Sequence, residues 1–228
     1  LLLAFGLIVA VKSGVSPFAK HSVTVTGSAY EIVKSDSGNM ELSLNVKKPT
    51  KALAYATAKK QLPEVLSYLG SKGFDVNNDV NIKSINGYVT YKMAPNGVTT
   101  NETDYYNLSQ TVTVKSSDVN KIKNASLDIA SLMDKGIDID VRSTSYSYSK
   151  LPDLKVQLLN KATTDAKQRA SAMLKSTNNH VGKIQSVQMG VFQITPVDST
   201  DVSDMGINDT STIEKKITAV SNVTFEVR

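Results

Sequence analysis

The pattern of hydrophobic and polar positions changes its period once in the second half of the chain, and this change predicts a strand followed by a helix. From Ile137 to Tyr148 apolar and polar residues alternate, which is typical of a strand. After Pro152 and Asp153, which suit a first helical turn, apolar residues recur every three or four positions. This stripe comprises Leu154, Leu158, Ala162, Ala166, Ala170 and Met173. Its alanines predict a helix packed closely on a neighbour, which we expect to be a sheet.

The remaining patterns complete the predicted order. A helix is expected from an N-cap at Thr50 to Leu69, kinked or restarted at Pro63. A second is expected from a cap at Ser116 or Ser117 to about residue 136. Alternation predicts further strands at residues 23–27, 40–46, 80–93 (bent or broken near 86–87), 108–114, 187–191 and 223–227. The order ββαββαβαββ predicts an α+β fold class, with mainly antiparallel sheet backed by helices.

The chain opens with eleven apolar residues, LLLAFGLIVAV. As a helix they would cover about 16 Å, against about 30 Å of membrane hydrocarbon. Two interpretations remain open: the end of a signal peptide, or the outer half of an N-terminal membrane-anchor helix. We favour the anchor because no good cleavage pattern follows. The predicted division is an anchor and tether over residues 1–20 and an α+β domain over residues 21–228.

Composition narrows the function classes. The 228 residues contain no Cys, which excludes disulfides, thiol catalysis and thiolate metal sites. The net charge of +5 is modest, and the lysines are spread along the chain without interleaved aromatics. We therefore expect no nucleic-acid partner.

Candidate chemistry is sparse. His21 and His180 are the only two histidines, so neither a zinc site nor a Ser-His-Asp grouping is predicted. Phosphate-binding glycine motifs are absent from the sequence. We predict no catalytic, cofactor-binding or metal-binding residues, and we expect that the protein is not an enzyme.

One polar loop, residues 195–212, merits a calcium hypothesis because calcium prefers several convergent carboxylates. Its acidic and amide residues are Asp198, Asp201, Asp204, Asn208 and Asp209. Their spacing does not fit an EF-hand, so a solvated, flexible hairpin is the favoured interpretation.

Two pairs of tyrosines, Tyr105 with Tyr106 and Tyr146 with Tyr148, permit two interpretations. On an edge strand they would form an aromatic surface for a neighbouring chain. Packed under a helix they would belong to the core.

Several segments, in order, resemble the SIMPL-domain family. The opening segment HSVTVTGSA resembles the family's V-x-V-x-G-x-A start. Two later passages are similar to its strand-to-helix junctions, a third to its A-x-x-D-A-K-x-R-A helix core, and a fourth to the strand after that helix. The matching segments are residues 21–29, 110–119, 136–148, 162–170 and 181–184. Pro63 and the loop at 195–212 depart from the family pattern.

The resemblance implies an extracytoplasmic or periplasmic protein, similar to periplasmic immunogenic and stress-linked envelope proteins of bacteria. It also implies homo-oligomers, with rings as one arrangement, and no agreed catalytic residues. We therefore expect a non-enzymatic protein anchored in the cell membrane by its N-terminus, which self-assembles outside the cytosol. The alternative is a tethered binding module for a small molecule, peptide or cell-wall polymer. Its pocket would lie under the loops at 93–103 and 195–212.

Overall fold

The computed structural model describes residues 21–228 and confirms a mixed α+β fold with antiparallel sheets and three α-helices. The predicted anchor helix and the boundary at residue 20 fall on residues 1–20, outside the described part. The elements, in chain order, are β1 (Ser22–Lys34), β2 (Ser37–Lys48), α1 (Lys51–Ser71), β3 (Val80–Met93), β4 (Thr99–Ser116), α2 (Val119–Asp128), a 3-10 helix (Ile129–Lys135), β5 (Asp138–Ser147), α3 (Leu151–Lys175), β6 (Val181–Met189), β7 (Gln193–Pro196), β8 (Ile207–Asn208) and β9 (Glu214–Val227).

These elements divide into two compact units. The first unit comprises residues 21–33, 150–209 and 215–228, and the second comprises residues 34–149 and 210–214.

The observed order of elements differs from the predicted ββαββαβαββ after α3, where four strands replace the predicted two. The added strands, β7 and β8, are only four and two residues long. Such short segments leave no clear alternation in a sequence.

The second unit is a four-stranded antiparallel sheet in the order β3-β4-β2-β5. Alternate residues of β2 (Met40, Leu42 and Leu44) are buried against the helices. Polar residues such as Glu41 and Asn45 alternate with them and lie half-buried on the opposite face. The alternation predicted for residues 40–46 is confirmed, because only one face of this sheet carries the helices.

The first unit has α3 packed on a sheet whose central strand is β9. β1 lies along one side of β9; β6 pairs with its C-terminal part and β7 with its N-terminal part. Val223 and Phe225 of β9 contact the alanine stripe of α3 in one core cluster. The predicted close approach of α3 to a sheet is confirmed at Gly27, where a β-carbon would lie 2.1 Å from the carbonyl oxygen of Ala162.

Some local predictions are corrected by the structure. α1 runs without interruption through Pro63, which lies on the exposed side, where water can bond to the carbonyl that proline leaves unpaired. The cap of α2 is Asp118, whose carboxylate accepts two helix N–H bonds at 3.0 and 3.2 Å, and not Ser116 or Ser117. Met173, predicted to face the core, is exposed in the last turn of α3.

Candidate functional site

The two histidines lie at one end of the first unit's sheet, on either side of β9. The backbone of His21 accepts a bond from Val227 at 2.9 Å, and the backbone of His180 pairs with Arg228 at 2.6 and 2.9 Å. Both side chains are exposed. Within residues 21–228, no cluster of three or more metal-ligating side chains could hold an ion.

The residues of the calcium hypothesis do not converge. Asp198, Asp201 and Asp204 are exposed along the loop, whereas Asp209 forms an ion pair with Lys215 at 3.2 Å. The side chains of Lys215 and Asp209 are only 3% and 11% exposed, and the ammonium also donates to the Asp209 carbonyl at 2.7 Å. This buried pair fixes the loop's return to β9.

The loop is largely exposed, as the solvated-hairpin interpretation predicted, and it is held against the sheet at two further points. The Gln193 amide donates to the Ser203 carbonyl at 2.7 Å and accepts the Ser203 N–H at 3.3 Å. The Lys216 ammonium donates to the Ser199 carbonyl at 2.6 Å. Residues 197–206, which we call the tied loop, therefore form a wall beside β7 and β9.

A cavity of 530 Å³ lies between the tied loop and the sheet. Its floor contains two cross-strand pairs, Thr195 opposite Lys216 and Gln193 opposite Thr218. Directly opposed residues have β-carbons about 4.5–5.5 Å apart, so each pair presents its polar groups together. The alternative interpretation expected a pocket under this loop and under residues 93–103; the cavity's lining residues all belong to the first unit.

Thr195 is the least satisfied polar group of that floor. The residue is 2% exposed, and its hydroxyl oxygen has no hydrogen-bond partner within the described part of the chain. A buried, unpaired hydroxyl costs about 1–3 kcal/mol.

Charged and apolar side chains line the same cavity as Thr195. Lys216, Asp201 and Asp204 all line the cavity, and none has an oppositely charged partner within 4.0 Å among residues 21–228. Apolar lining is supplied by Met189, Val191, Val202 and Val220.

A second unusual surface is the end of the β3–β4 hairpin. β2 stops pairing with β4 at Tyr106, so residues 90–105, which we call the hairpin arm, form a ribbon of two strands. The arm ends in a turn closed by the Ala94 N–H and the Val98 carbonyl at 2.9 Å. Its exposed apolar residues are Tyr91, Met93 and Val98, and Tyr88 lies at its base, 68% exposed.

The tyrosine pairs separate in the structure. Tyr146 is buried in the core of the second unit, and Tyr106 packs beside the buried face of α1, as the core interpretation predicted. Tyr105 is on the other face of β4, where the Lys47 ammonium lies 3.5 Å from its ring centre. Tyr106 pairs with Lys48 of β2 on one side and with Val89 of β3 on the other, so it does not lie on a sheet edge, whereas Tyr105 lies in the hairpin arm, where β4 pairs only with β3.

The groups with shifted pKa values are dispersed. Burial raises the pKa of Tyr68, and a hydrogen bond from Lys72 lowers the pKa of its partner Asp128. In the other unit, the Ser28 N–H lowers the pKa of Asp165 through a 2.8 Å bond. Each shift has a local structural cause; that the protein is not an enzyme stays a prediction.

The described elements define a class: an α+β protein of two sheet-and-helix units, with a tied loop and a hairpin arm. The SIMPL family, described as a protein of unknown function (DUF541), matches residues 23–225. The chain therefore belongs to the SIMPL family, as the resemblance predicted. No curated protein matches it. Among the described residues, no helix has the length and apolar character needed to cross a membrane.

Proposed function

We propose that the protein is a non-enzymatic envelope protein, anchored in the cell membrane by its N-terminus, that assembles with identical copies on the extracytoplasmic side. The hairpin arm is the observation that carries this proposal. A two-stranded ribbon is marginally stable in water, and this one exposes Tyr91 and Met93 to solvent. Contact with another copy would cover these side chains and stabilise the ribbon.

The strand directions support head-to-tail assembly through sheet edges. β3 and β5 are the two edges of the second unit's sheet, and they run in opposite directions because β4 and β2 between them are each antiparallel to their neighbours. β3 of one copy beside β5 of the next would therefore continue the antiparallel pattern. Such a contact uses two different surfaces, so it can repeat and close into a ring.

Only part of the β5 edge is free to pair with β3 of a neighbouring copy. At Tyr146 the strand's N–H already donates to the Thr210 carbonyl at 2.7 Å. The stretch from Asp138 to residue 145 is then the part we assign to the neighbouring β3.

The apolar leader supports the membrane location. Anchoring confines many copies to one plane, which raises their effective concentration and favours weak edge contacts. The SIMPL family match is compatible with this proposal and assigns no role of its own.

The mass of the particle extracted from membranes tests the assembly. We expect the full chain, in mild detergent, to elute as a multiple of the monomer. The variant Tyr88→Glu/Tyr91→Glu/Met93→Glu should elute as a monomer, because it places charges along the proposed contact. The control Val156→Glu/Met173→Glu changes exposed apolar residues of α3 and should leave the multimer intact. A monomeric parent protein, or an unchanged hairpin variant, would contradict the proposal.

Location is tested separately. We expect the chain to sediment with membranes and to be digested when protease is added to spheroplasts. Recovery in the cytosolic fraction, protected from protease until lysis, would refute the anchored arrangement.

A second candidate function, a tethered binding module, is favoured by the cavity beside the tied loop. A volume of 530 Å³ falls within the usual range for small-molecule sites, about 300–1,000 Å³. Residues of the sheet and of the tied loop both line this cavity, so a bound ligand would contact the sheet and the loop at once.

A further inference from the structure

We infer that this cavity binds a small zwitterion with an apolar side chain, of the size and charge pattern of an aliphatic amino acid. The inference rests on the second candidate function, the binding module, and is independent of self-assembly. It follows from which groups line the cavity and which of them lack partners.

The floor supplies a site for a carboxylate. The Lys216 ammonium has three donors, and the Ser199 carbonyl is the acceptor that it contacts. Thr195 is the residue directly opposite Lys216 in the β7–β9 register, and its hydroxyl is buried and without a partner in the described chain. An ammonium and a hydroxyl that line one cavity are together suited to the acceptor oxygens of a carboxylate, and the bond from the ammonium would be charge-assisted.

The tied loop supplies the opposite charge. Asp201 and Asp204 line the same cavity, and among residues 21–228 the one side-chain donor that Asp201 contacts is the neutral Ser199 hydroxyl at 3.1 Å. A ligand ammonium would give these carboxylates a cationic partner. Since the lining carries one positive and two negative side chains, a ligand with both charges fits better than a simple anion.

The apolar lining accounts for the remainder of the ligand. Met189, Val191 and Val202 are exposed in the free protein, although large apolar side chains are usually buried. An aliphatic side chain of four or five carbons would cover them and remove apolar area from water.

Calorimetric titration of the full chain with L-leucine tests the inference. Two comparison ligands each lack one charge: hexanoate has no ammonium, and pentylamine has no carboxylate. We expect leucine to bind at least about tenfold more tightly than either, since each lost charge-assisted bond is worth about 1.5–3 kcal/mol.

Variants of the lining residues test which side chain binds which charged group of the ligand. Thr195→Val should weaken leucine and hexanoate binding about fivefold, because it removes one hydrogen bond of about 1 kcal/mol. It should leave the melting temperature unchanged or higher, since the lost hydroxyl has no partner in the described chain. Asp201→Asn/Asp204→Asn should weaken leucine and pentylamine but not hexanoate. The matched control Thr113→Val removes another buried, unpartnered hydroxyl in the second unit and should not affect binding.

The outcomes separate the ligand class from the site. If hexanoate binds as tightly as leucine and Thr195→Val weakens both, the protein is still a binding module, but the inference that its ligand is a zwitterion is wrong. No heat with any of the three probes, or leucine binding that is insensitive to Thr195→Val and to the double aspartate variant, would overturn the site itself.

Discussion

The contact between β1 and α3 makes Gly27→Ala the most informative stability variant. A β-carbon at Gly27 would lie 2.1 Å from the Ala162 carbonyl oxygen, and 2.4 and 2.8 Å from the backbone N and Cα of Ala166. All three are backbone atoms of a helix, so no side-chain rotation relieves the overlap. The substitution therefore forces the helix and the strand apart.

The size of the effect follows from these distances. An ordinary contact begins at 3.4 Å, so the helix would have to withdraw by about 1.3 Å. Gaps of about 0.5–1 Å already forfeit a quarter to a half of the dispersion attraction between packed atoms. That loss would extend to the contacts of Ala166 and Ala170 with the sheet. We expect a cost of about 3 kcal/mol, the upper end of the usual range for overpacked cores.

Thermal unfolding followed by circular dichroism measures this cost. For a chain of this size the expected fall in melting temperature is about 6–12 °C. The matched control is Gly70→Ala in α1, where the nearest atom to the new β-carbon would be 3.8 Å away. It should stabilise the protein by up to about 1 kcal/mol, because alanine is the better helix former. Adding Ala166→Gly to Gly27→Ala should not restore stability, since the overlap is with backbone. An unchanged melting temperature for Gly27→Ala would refute the close packing.

Three further predictions concern charged groups. Lys215→Met should destabilise the protein by about 3–5 kcal/mol in chemical denaturation, because it leaves the largely buried Asp209 carboxylate without its ammonium; adding Asp209→Asn should recover part of the loss. Asp165→Asn should destabilise most at pH 7 and progressively less as the pH falls below about 4, because the Ser28 N–H lowers the folded-state pKa of Asp165; the stability that this carboxylate contributes is complete above its unfolded pKa and is lost as the pH falls through its folded pKa. Equal effects of this variant at pH 7 and pH 3 would contradict that linkage. Asp118→Ala should cost about 1 kcal/mol through the lost cap of α2, and Asp118→Asn much less; equal melting temperatures for all three proteins would refute the capping role.

Sequence reasoning succeeded where local periodicity and burial coincide. The stripe of α3 from Leu154 to Ala170 is buried as predicted, because one continuous face of a long helix meets the sheet. The same holds for β2, where alternate apolar residues face the helices of one unit. At Met173 the periodicity continues after the burial has ended, so the prediction was wrong there.

The candidate site could not be predicted in the same way. Thr195 and Lys216 are neighbours only because β7 and β9 pair in one register, and no local pattern encodes that register. β7 is four residues long and ends at a proline, so it resembles the loop that follows it. The nearest sequence signal was the polar, acidic loop, which suggested a cation; its position beside Lys216 depends on tertiary contacts.

The sequence also did not predict how far the hairpin arm extends. Asn86 and Gly87 suggested a bend or a break in β3; the strand is not broken there and continues to Met93. At Gly87 a β-carbon would lie 2.3 Å from a methyl of Leu108, so this glycine permits close strand packing instead of a turn.

The central place of β9 has a consequence for biosynthesis. β1 and β9 lie side by side, joined by a 2.9 Å bond between the Thr24 and Thr224 hydroxyls, although 200 residues separate them along the chain. A nascent chain emerging from its N-terminus can form most of the second unit, residues 34–149, early, whereas β1 must wait until the fourteen residues of β9 arrive. A ribosome that stops short of β9 would thus release a chain with one nearly complete unit and a first strand lacking its partner, and such an unpaired strand is exposed to aggregation and proteolysis.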